Sequence, residues 1–405
     1  MPSCVPDLLV VEEAHGPRLP TAVHPLPHLL NLSAEEVLAA FRDSQRADFS
    51  AIIGDVGRPG TLLHQVFAEL AERVGPDHPF HRVALFRDGA LERMFLDLHD
   101  HVMSHPVWRH PFFVRVFEGR IDLGQLRRFA TAYFNQIKNT RQCVAMAIGR
   151  FHGLMDLPYG PLNERVAEIT QISLAQLVAD EYGLGAHEVE NYPDLGHLFR
   201  SRTHIVLYRQ LFDGLGLGLD EQDEPMLWGV ADNVLIQRLV AADPAFSPLE
   251  ALASVGLGME WGVPEFFSLL LGGMIRVSRR DGLGLTPRDL EVFIAHVRYD
   301  VLHAVSVMLV TSLHMKDECD LSLVKNACNM LMAGRYAMMG DIHAHVFGEA
   351  SPSLGQIGLE ARYAVADRRM ETVLVAARAA ISPERVVAGE DYARRRGVPF
   401  VFANH

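Results

Sequence analysis

An all-α fold is expected for this chain, on three observations. From about Thr61 onward apolar residues recur at helical spacing almost without interruption. Strand-like alternation is limited to fragments such as Val83-Ala84-Leu85-Phe86 and Pro399-Phe400-Val401-Phe402. Glycine-rich breaks at 183–185, 214–218 and 282–284 punctuate the helical runs.

Residues 1–60 are rich in Pro, His and Gly and hold one short helical signal. Ser33-Ala34-Glu35-Glu36 reads as an N-cap followed by early acids, leading into Val37-Leu38-Ala39-Ala40-Phe41. Beyond them the periodicity predicts helices over 61–74, 87–104, 123–153, 162–182, 200–214, 224–240, 247–255, 258–279, 286–315, 320–347 and 353–381. There is no repeat of 20 to 50 residues and no low-complexity tract. The organisation expected is an N-terminal extension over 1–95, a helical metal-binding domain over 96–350, and a C-terminal helix and tail over 351–405. The extension carries the amphipathic pattern Leu62-Leu63, Val66-Phe67, Leu70. Its expected role is a lid or a homodimer interface, with a helical layer packed on the core as the equal alternative.

The 405 residues are 49% apolar and 21% charged, enough for a sizeable core. A net charge of −13 argues against nucleic acid or an anionic membrane surface as the main partner. Cys4, Cys143, Cys319 and Cys328 show no CxxC spacing, which speaks against a disulfide framework or a thiolate zinc site. The first twenty residues lack a basic region followed by an apolar one, and no apolar run reaches the ~18 residues needed to span a bilayer. A cytoplasmic location is expected.

The chemistry centres on His296, Asp300 and His303. At i, i+4 and i+7 of a helix they fall within roughly 60° of one another, stacked over two turns. The flanks are apolar (Val292, Phe293 and Ile294 before, Val301, Leu302, Ala304 and Val305 after), so the three side chains should point into the interior. Unpaired charge is costly there, and a shared cation is the simplest way to satisfy all three. The plainer alternative is histidines satisfied by carbonyls or by Asp300.

A metal needs ligands from other helices too. Glu260 lies amid Leu257, Met259, Trp261 and Val263. Asp180 and Glu181 sit in the last turn of an apolar-faced helix, where the helix dipole disfavours negative charge. As neighbours they project to different faces, and the sequence leaves either possible. His187, His197 and His204 all lie within reach after that helix. Carboxylate and imidazole donors without thiolate suit iron or manganese better than zinc or copper(I), and six of them can hold two ions. The cluster Asp97-Leu98-His99-Asp100-His101 reads as a polar helix face.

These residues resemble a known family. Gly258-x-Glu260, Pro264, Phe266-Phe267, then Asp289-x-x-x-Phe293-x-x-His296-x-x-x-Asp300-x-x-His303 is similar to the metal-binding half of the heme-oxygenase-like diiron oxidases and oxygenases. Asp180-Glu181-Tyr182-Gly183-x-Gly185 and His204-x-x-Leu207-Tyr208 resemble the family's second ligand helix and the histidine segment after it. More weakly, His110-Pro111-Phe112-Phe113 through Tyr133-Phe134 resembles the first helices. The resemblance covers about residues 95 to 350. It implies a heme-oxygenase-like bundle with one iron bound by Glu181, His204 and His303, and a second by His296, Asp300 and Glu260, with a bridging carboxylate. The family usually adds a glutamate from the helix that here runs over 123–153, yet no Glu or Asp occurs between Asp122 and Asp156. One iron is then weakly held, or the site is mononuclear. Asn135, Gln136 and Asn139 occupy the neighbourhood.

The resemblance implies Fe(II), two per chain, with dioxygen as co-substrate. The favoured reaction is oxidation of a small amine or amino-acid-derived metabolite, for instance N-oxygenation, with an external electron donor as a further partner. Oxidative C–C or C–N cleavage by the same site is the alternative. A metal-free enzyme of the thiaminase or quinone-synthase type and a non-catalytic metal-binding protein are the rivals. Arg298 and Arg276 are candidate anchors for a substrate carboxylate, Tyr299 and Trp261 are candidates to line the pocket, and Gln136 is a further substrate-binding candidate.

Overall fold

The computed structural model describes residues 26–56, 90–157, 159–182, 203–222, 224–315, 318–357 and 367–386. The all-α expectation holds: the described residues form twelve α-helices and no strand, with one isolated parallel bridge between Met226 and Val386. In chain order they are α1 (Ala34–Val56), α2 (Ala90–Met103), α3 (Pro111–Phe117), α4 (Leu123–Ile148), α5 (Asn163–Glu181) and α6 (His204–Gly214). The rest are α7 (Trp228–Ala242), α8 (Pro248–Leu252), α9 (Val263–Asp281), α10 (Glu291–His314), α11 (Glu318–Phe347) and α12 (Arg368–Ala379). No helix among them is long and apolar enough to cross a membrane. The helix expected over 61–74 and both strand-like fragments lie outside the described residues.

Local chemistry fixes most boundaries. At Ser33 the hydroxyl accepts from the Glu36 amide (3.3 Å) and Glu36 accepts from the Ser33 amide (2.8 Å). This reciprocal cap starts a helix far longer than the signal at 33–41 suggested. Asp122 and Gln125 make the same capping box before α4, and Thr203 accepts from the Val206 amide ahead of α6. Pro264 is tolerated because it sits in the first turn of α9, and Gly282, at φ +67°, ends that helix in the left-handed conformation. The single run expected over 258–279 therefore starts later. A π-helical segment, Ala253–Gly258, extends α8, and Glu260 follows it before α9 begins.

Helix α10 is the axis of the arrangement. It packs against α9, α5, α6 and the π segment, while α7, α11 and α4 pack on one another beside it. The interface between α7 and α12 carries a buried two-pronged ion pair, with Arg378 Nε and Nη2 each 2.7 Å from an Asp232 oxygen. Helix α1 packs on α9, where Gln45 donates to the Trp261 carbonyl (3.2 Å) and to Glu265 (2.8 Å), bracing the turn that carries Glu260.

The approach of the π segment to α10 depends on Gly256, since a Cβ there would overlap the Val307 side chain. Gly256→Ala is expected to cost about 1–3 kcal/mol by overpacking, read from urea unfolding of the metal-free protein.

The Asp97–His101 cluster is not a solvated face. His99 and His101 are buried, donating from Nε2 to Gln45 Oε1 and Asn329 Oδ1, each at 2.8 Å. Only its acids reach outward: Asp97 pairs with Lys325, and Asp100 with Arg46. Interhelical amide partners, invisible to local pattern, let these histidines be buried.

Candidate metal centre

Four elements bring six donors together around α10. Glu181 is the last residue of α5, His204 the first of α6, and Glu260 follows the π segment. His296, Asp300 and His303 project from two successive turns of α10. All are buried or nearly so, Asp300 being 1% exposed. They fall into two trios: Glu181, His204 and His296 form one, Glu260, Asp300 and His303 the other. Within each, the donor atoms lie within 4.8 Å of one another.

This grouping exchanges the two histidines relative to the ligand sets that the family resemblance implied. The reason is the helical rise. Asp300 and His303 are about 4.5 Å apart along the axis, whereas His296 lies roughly 10 Å before His303. His296 is thus level with the start of α6, its ring centroid 4.3 Å from that of His204. His303 shares the next level with Glu260.

Each imidazole is oriented by a second bond. His296 Nδ1 donates to the Val292 carbonyl (2.6 Å), leaving Nε2 with its lone pair. Phe267 stacks on that ring at 4.6 Å. Burial, reinforced by His204, pushes the His296 pKa down to about 3, so this ring is neutral. His303 Nε2 donates to Asp180 (3.1 Å), which turns Nδ1 towards Glu260 and Asp300, each 3.7 Å away. Asp180 and Glu181 therefore both serve, one orienting a donor from outside and the other facing inward. Glu181 accepts from His204 Nδ1 at 2.8 Å.

The electrostatics differ between the trios. Burial raises the Glu181 pKa, but His204, His296 and His303 outweigh it and hold the carboxyl near 2. His204 is raised, the Glu181 charge overcoming burial. Burial lifts Glu260, and burial together with the Glu260 charge lifts Asp300 well above the carboxylate range. His303 stands well above the usual imidazole value because Asp180, Glu260 and Asp300 overcome its burial.

The second trio is incomplete as a hydrogen-bonded cluster. Asp300 Oδ2 and His303 Nδ1 are buried without a hydrogen-bond partner, a costly state. At 3.7 Å the facing atoms are too far apart to bond one another. They suit a shared cation: donors ~2.1 Å from one ion are separated by roughly 3 Å when adjacent and 4.2 Å when opposite. The first trio is the two-histidine, one-carboxylate set typical of non-haem iron(II), and the second is richer in carboxylate. Cys143 and Cys328 belong to neither, and burial pushes both thiols up to about 12.

Asp180→Asn removes the carboxylate that orients His303. It is expected to weaken divalent-ion affinity by about 10–100-fold with little change in fold, as read by isothermal titration with Mn(II).

The other candidates are placed differently. Gln136 lies in an amide ladder, donating to Gln237 (3.0 Å) and Thr140 (2.7 Å) and accepting from Asn233 (2.9 Å), so it ties α4 to α7. Asn135 donates to the Glu224 carbonyl. Arg276 is not a substrate anchor: it donates to the carbonyls of Phe117 (2.7 Å) and Leu30 (3.0 Å), stapling α3 and the segment before α1 to α9. The Trp261 ring is wholly buried, edge-on to Phe95 and His99. The side chains of Arg298 and Tyr299, and all of His187 and His197, lie outside the described residues. Sequence reasoning overlooked Tyr133, on the α4 helix that lacks acids, and Arg335 on α11. Both lie within electrostatic range of Asp300.

No protein-family model matches the chain, and no curated protein matches it.

Proposed function

We propose that this chain is a non-haem diiron oxidase or oxygenase on a heme-oxygenase-like bundle, using dioxygen to oxidise a small amine or amino-acid-derived metabolite, with N-oxygenation as the reaction class. The observation that carries this reading is the pair of buried oxygen–nitrogen trios stacked along α10, one of them with two orphaned donor atoms. Two iron(II) ions held there would supply redox chemistry towards dioxygen that side chains alone lack. The protein's part is placement. His296 offers a neutral ring pinned by Val292 and Phe267, Glu181 an ionised carboxylate, and Asp180 keeps His303 turned inward. Phe266, Phe267 and Phe293 pack beside these groups and keep bulk water away. An external electron donor is the partner this chemistry calls for.

The test is anaerobic iron(II) titration followed by exposure to oxygen, with visible absorbance recorded. Two ions per chain and a transient oxygen-dependent band are expected. Uptake unaltered in a His296→Ala/Asp300→Ala double variant would overturn the reading. Small amines and amino acids screened by mass then separate the reaction classes, since gain of oxygen marks N-oxygenation and fragmentation marks cleavage.

A further inference from the structure

Two main-chain carbonyls flank Glu260, and each is held from a different helix. On one side Gln45 of α1 donates to the Trp261 carbonyl at 3.2 Å. On the other, Arg335 of α11 donates from Nη1 to the Met259 carbonyl, also at 3.2 Å. The packing of α11 on the π segment sets that register. Cys328, Leu331 and Arg335 share one face of α11 at i, i+3 and i+7. Cys328 Sγ reaches the Ala253 carbonyl at 3.4 Å. Leu331 lies against Gly258, where an added Cβ would sit 3.0 Å from its Cδ2. Arg335 comes next on that face and meets the chain one residue before Glu260.

A neutral amide is enough to brace such a carbonyl, as Gln45 shows. What an arginine adds is a charge that no working pH removes. Arg335 is 4% exposed, and its Nε is buried without a hydrogen-bond partner. No ion pair to it occurs among the described residues. Its Cζ lies 5.5 Å from the Phe266 ring and 5.7 Å from the Trp108 ring, in a setting where an isolated charge is costly. It stands within electrostatic range of Glu260 and Asp300, the two carboxylates of the second trio. Neutralising them does not account for it once ions are bound. Glu181, Glu260 and Asp300 offset three of the four positive charges of two divalent ions, and Asp180, on His303, offsets the fourth. Arg335 then leaves the interior about one charge positive. An iron(II) ion that passes one electron to dioxygen becomes iron(III) and adds a further positive charge. Like charges repel more strongly in a water-poor interior than in water, so Arg335 favours the reduced ion, and most at the level it adjoins.

We propose that Arg335 is a positioning residue of the metal centre: it sets Glu260 in place through the Met259 carbonyl, and its fixed charge raises the reduction potential of the ion held by Glu260, Asp300 and His303. This rests on the metal-centre reading above and deepens it, since the two levels then differ in how readily their ions give up an electron.

The test is an anaerobic redox titration of the iron-loaded chain, followed by absorbance at a controlled electrode potential. Arg335→Gln can keep the bond to Met259 but loses the charge. In it the preference of the second-level ion for iron(II) over iron(III) should fall roughly tenfold or more, a drop of about 59 mV for each tenfold. Arg335→Lys, which retains the charge, should stay closer to wild type than to Arg335→Gln. Both variants should still take up two irons per chain. Combined with Asp300→Asn, where the first trio alone is filled, Arg335→Gln should shift the remaining ion less. A potential unchanged in Arg335→Gln, an equal drop in Arg335→Lys, or a shift just as large beside Asp300→Asn would overturn the proposal. Arg335→Met serves where the glutamine variant does not fold. Failure of both to fold would show that the cation serves the fold, and would overturn the proposal too. Failure of iron(II) to bind wild type would instead remove the metal-centre reading, and this inference with it.

Discussion

Asp300→Asn is expected to abolish ion binding at the Glu260–Asp300–His303 level, cutting uptake from two ions per chain to one, while making the metal-free chain more stable at pH 8. Both effects follow from the same burial. Asp300 is enclosed, one of its oxygens has no hydrogen-bond partner, and Glu260 lies close by. Without an ion the site therefore pays to ionise it. A neutral amide avoids that cost, on the order of 1–3 kcal/mol for a buried group left unsatisfied, but is a poor ligand for a hard cation. Burial and the Glu260 charge raise the folded-state pKa of Asp300, so the native chain binds this proton more tightly than the unfolded chain does. Its contribution to stability therefore falls as pH climbs from the ordinary carboxylate range through the raised value. The gap between variant and wild type should be widest at pH 8 and close towards pH 4, in urea unfolding of metal-stripped protein. A metal-free Asp300→Asn chain less stable than wild type at pH 8 would show that the carboxylate serves the fold instead of an ion. Greater stability with lost binding is the signature of a site kept for function.

The periodicity of α10 made its trio legible from sequence, because i, i+4 and i+7 fix a common face whatever else the chain does. The division of donors between two levels was not legible, because it depends on where α6 begins relative to α10, which is a tertiary fact. The choice between Asp180 and Glu181 had no single answer, since at the end of α5 one side chain turns inward to His204 while the other reaches His303. The turn carrying Glu260 was read as the start of a helix that in fact begins at Val263, with Pro264 in its first turn. A π segment has no composition of its own, and Gly256 acquires its meaning only against Val307. Arg335 did leave a signal: a lone arginine within ten apolar residues of a helix is seldom buried without a purpose. Its hydrogen-bond partner, the Met259 carbonyl, comes from a distant segment, so its burial is explained only by the packing. The histidines of α2 were misread for the same reason, their amide partners lying on α1 and α11.

Ion uptake is expected to release protons and to strengthen steeply with pH, and the two levels should differ in how steeply. Coordination requires ionised carboxylates and neutral imidazoles. At the first level Glu181, held near 2, and His296, held near 3, are already in that state at neutral pH, and only His204 is raised. At the second, Glu260, Asp300 and His303 are all raised, and each holds its proton beyond its ordinary range. Every proton displaced across its titration range adds about tenfold in affinity per pH unit. The second ion should therefore gain more in affinity than the first as pH rises. On acidification the ion at Glu260, Asp300 and His303 should leave before the one at Glu181, His204 and His296. Calorimetric titration with Mn(II) in buffers of different ionisation heat counts the protons directly. In Asp300→Asn the step of strong pH dependence should vanish while the weaker one persists. Uptake of two equivalents with no proton release would mean that the second ion binds elsewhere, because Asp300 and His303, both raised well above their ordinary values, must give up protons to coordinate it.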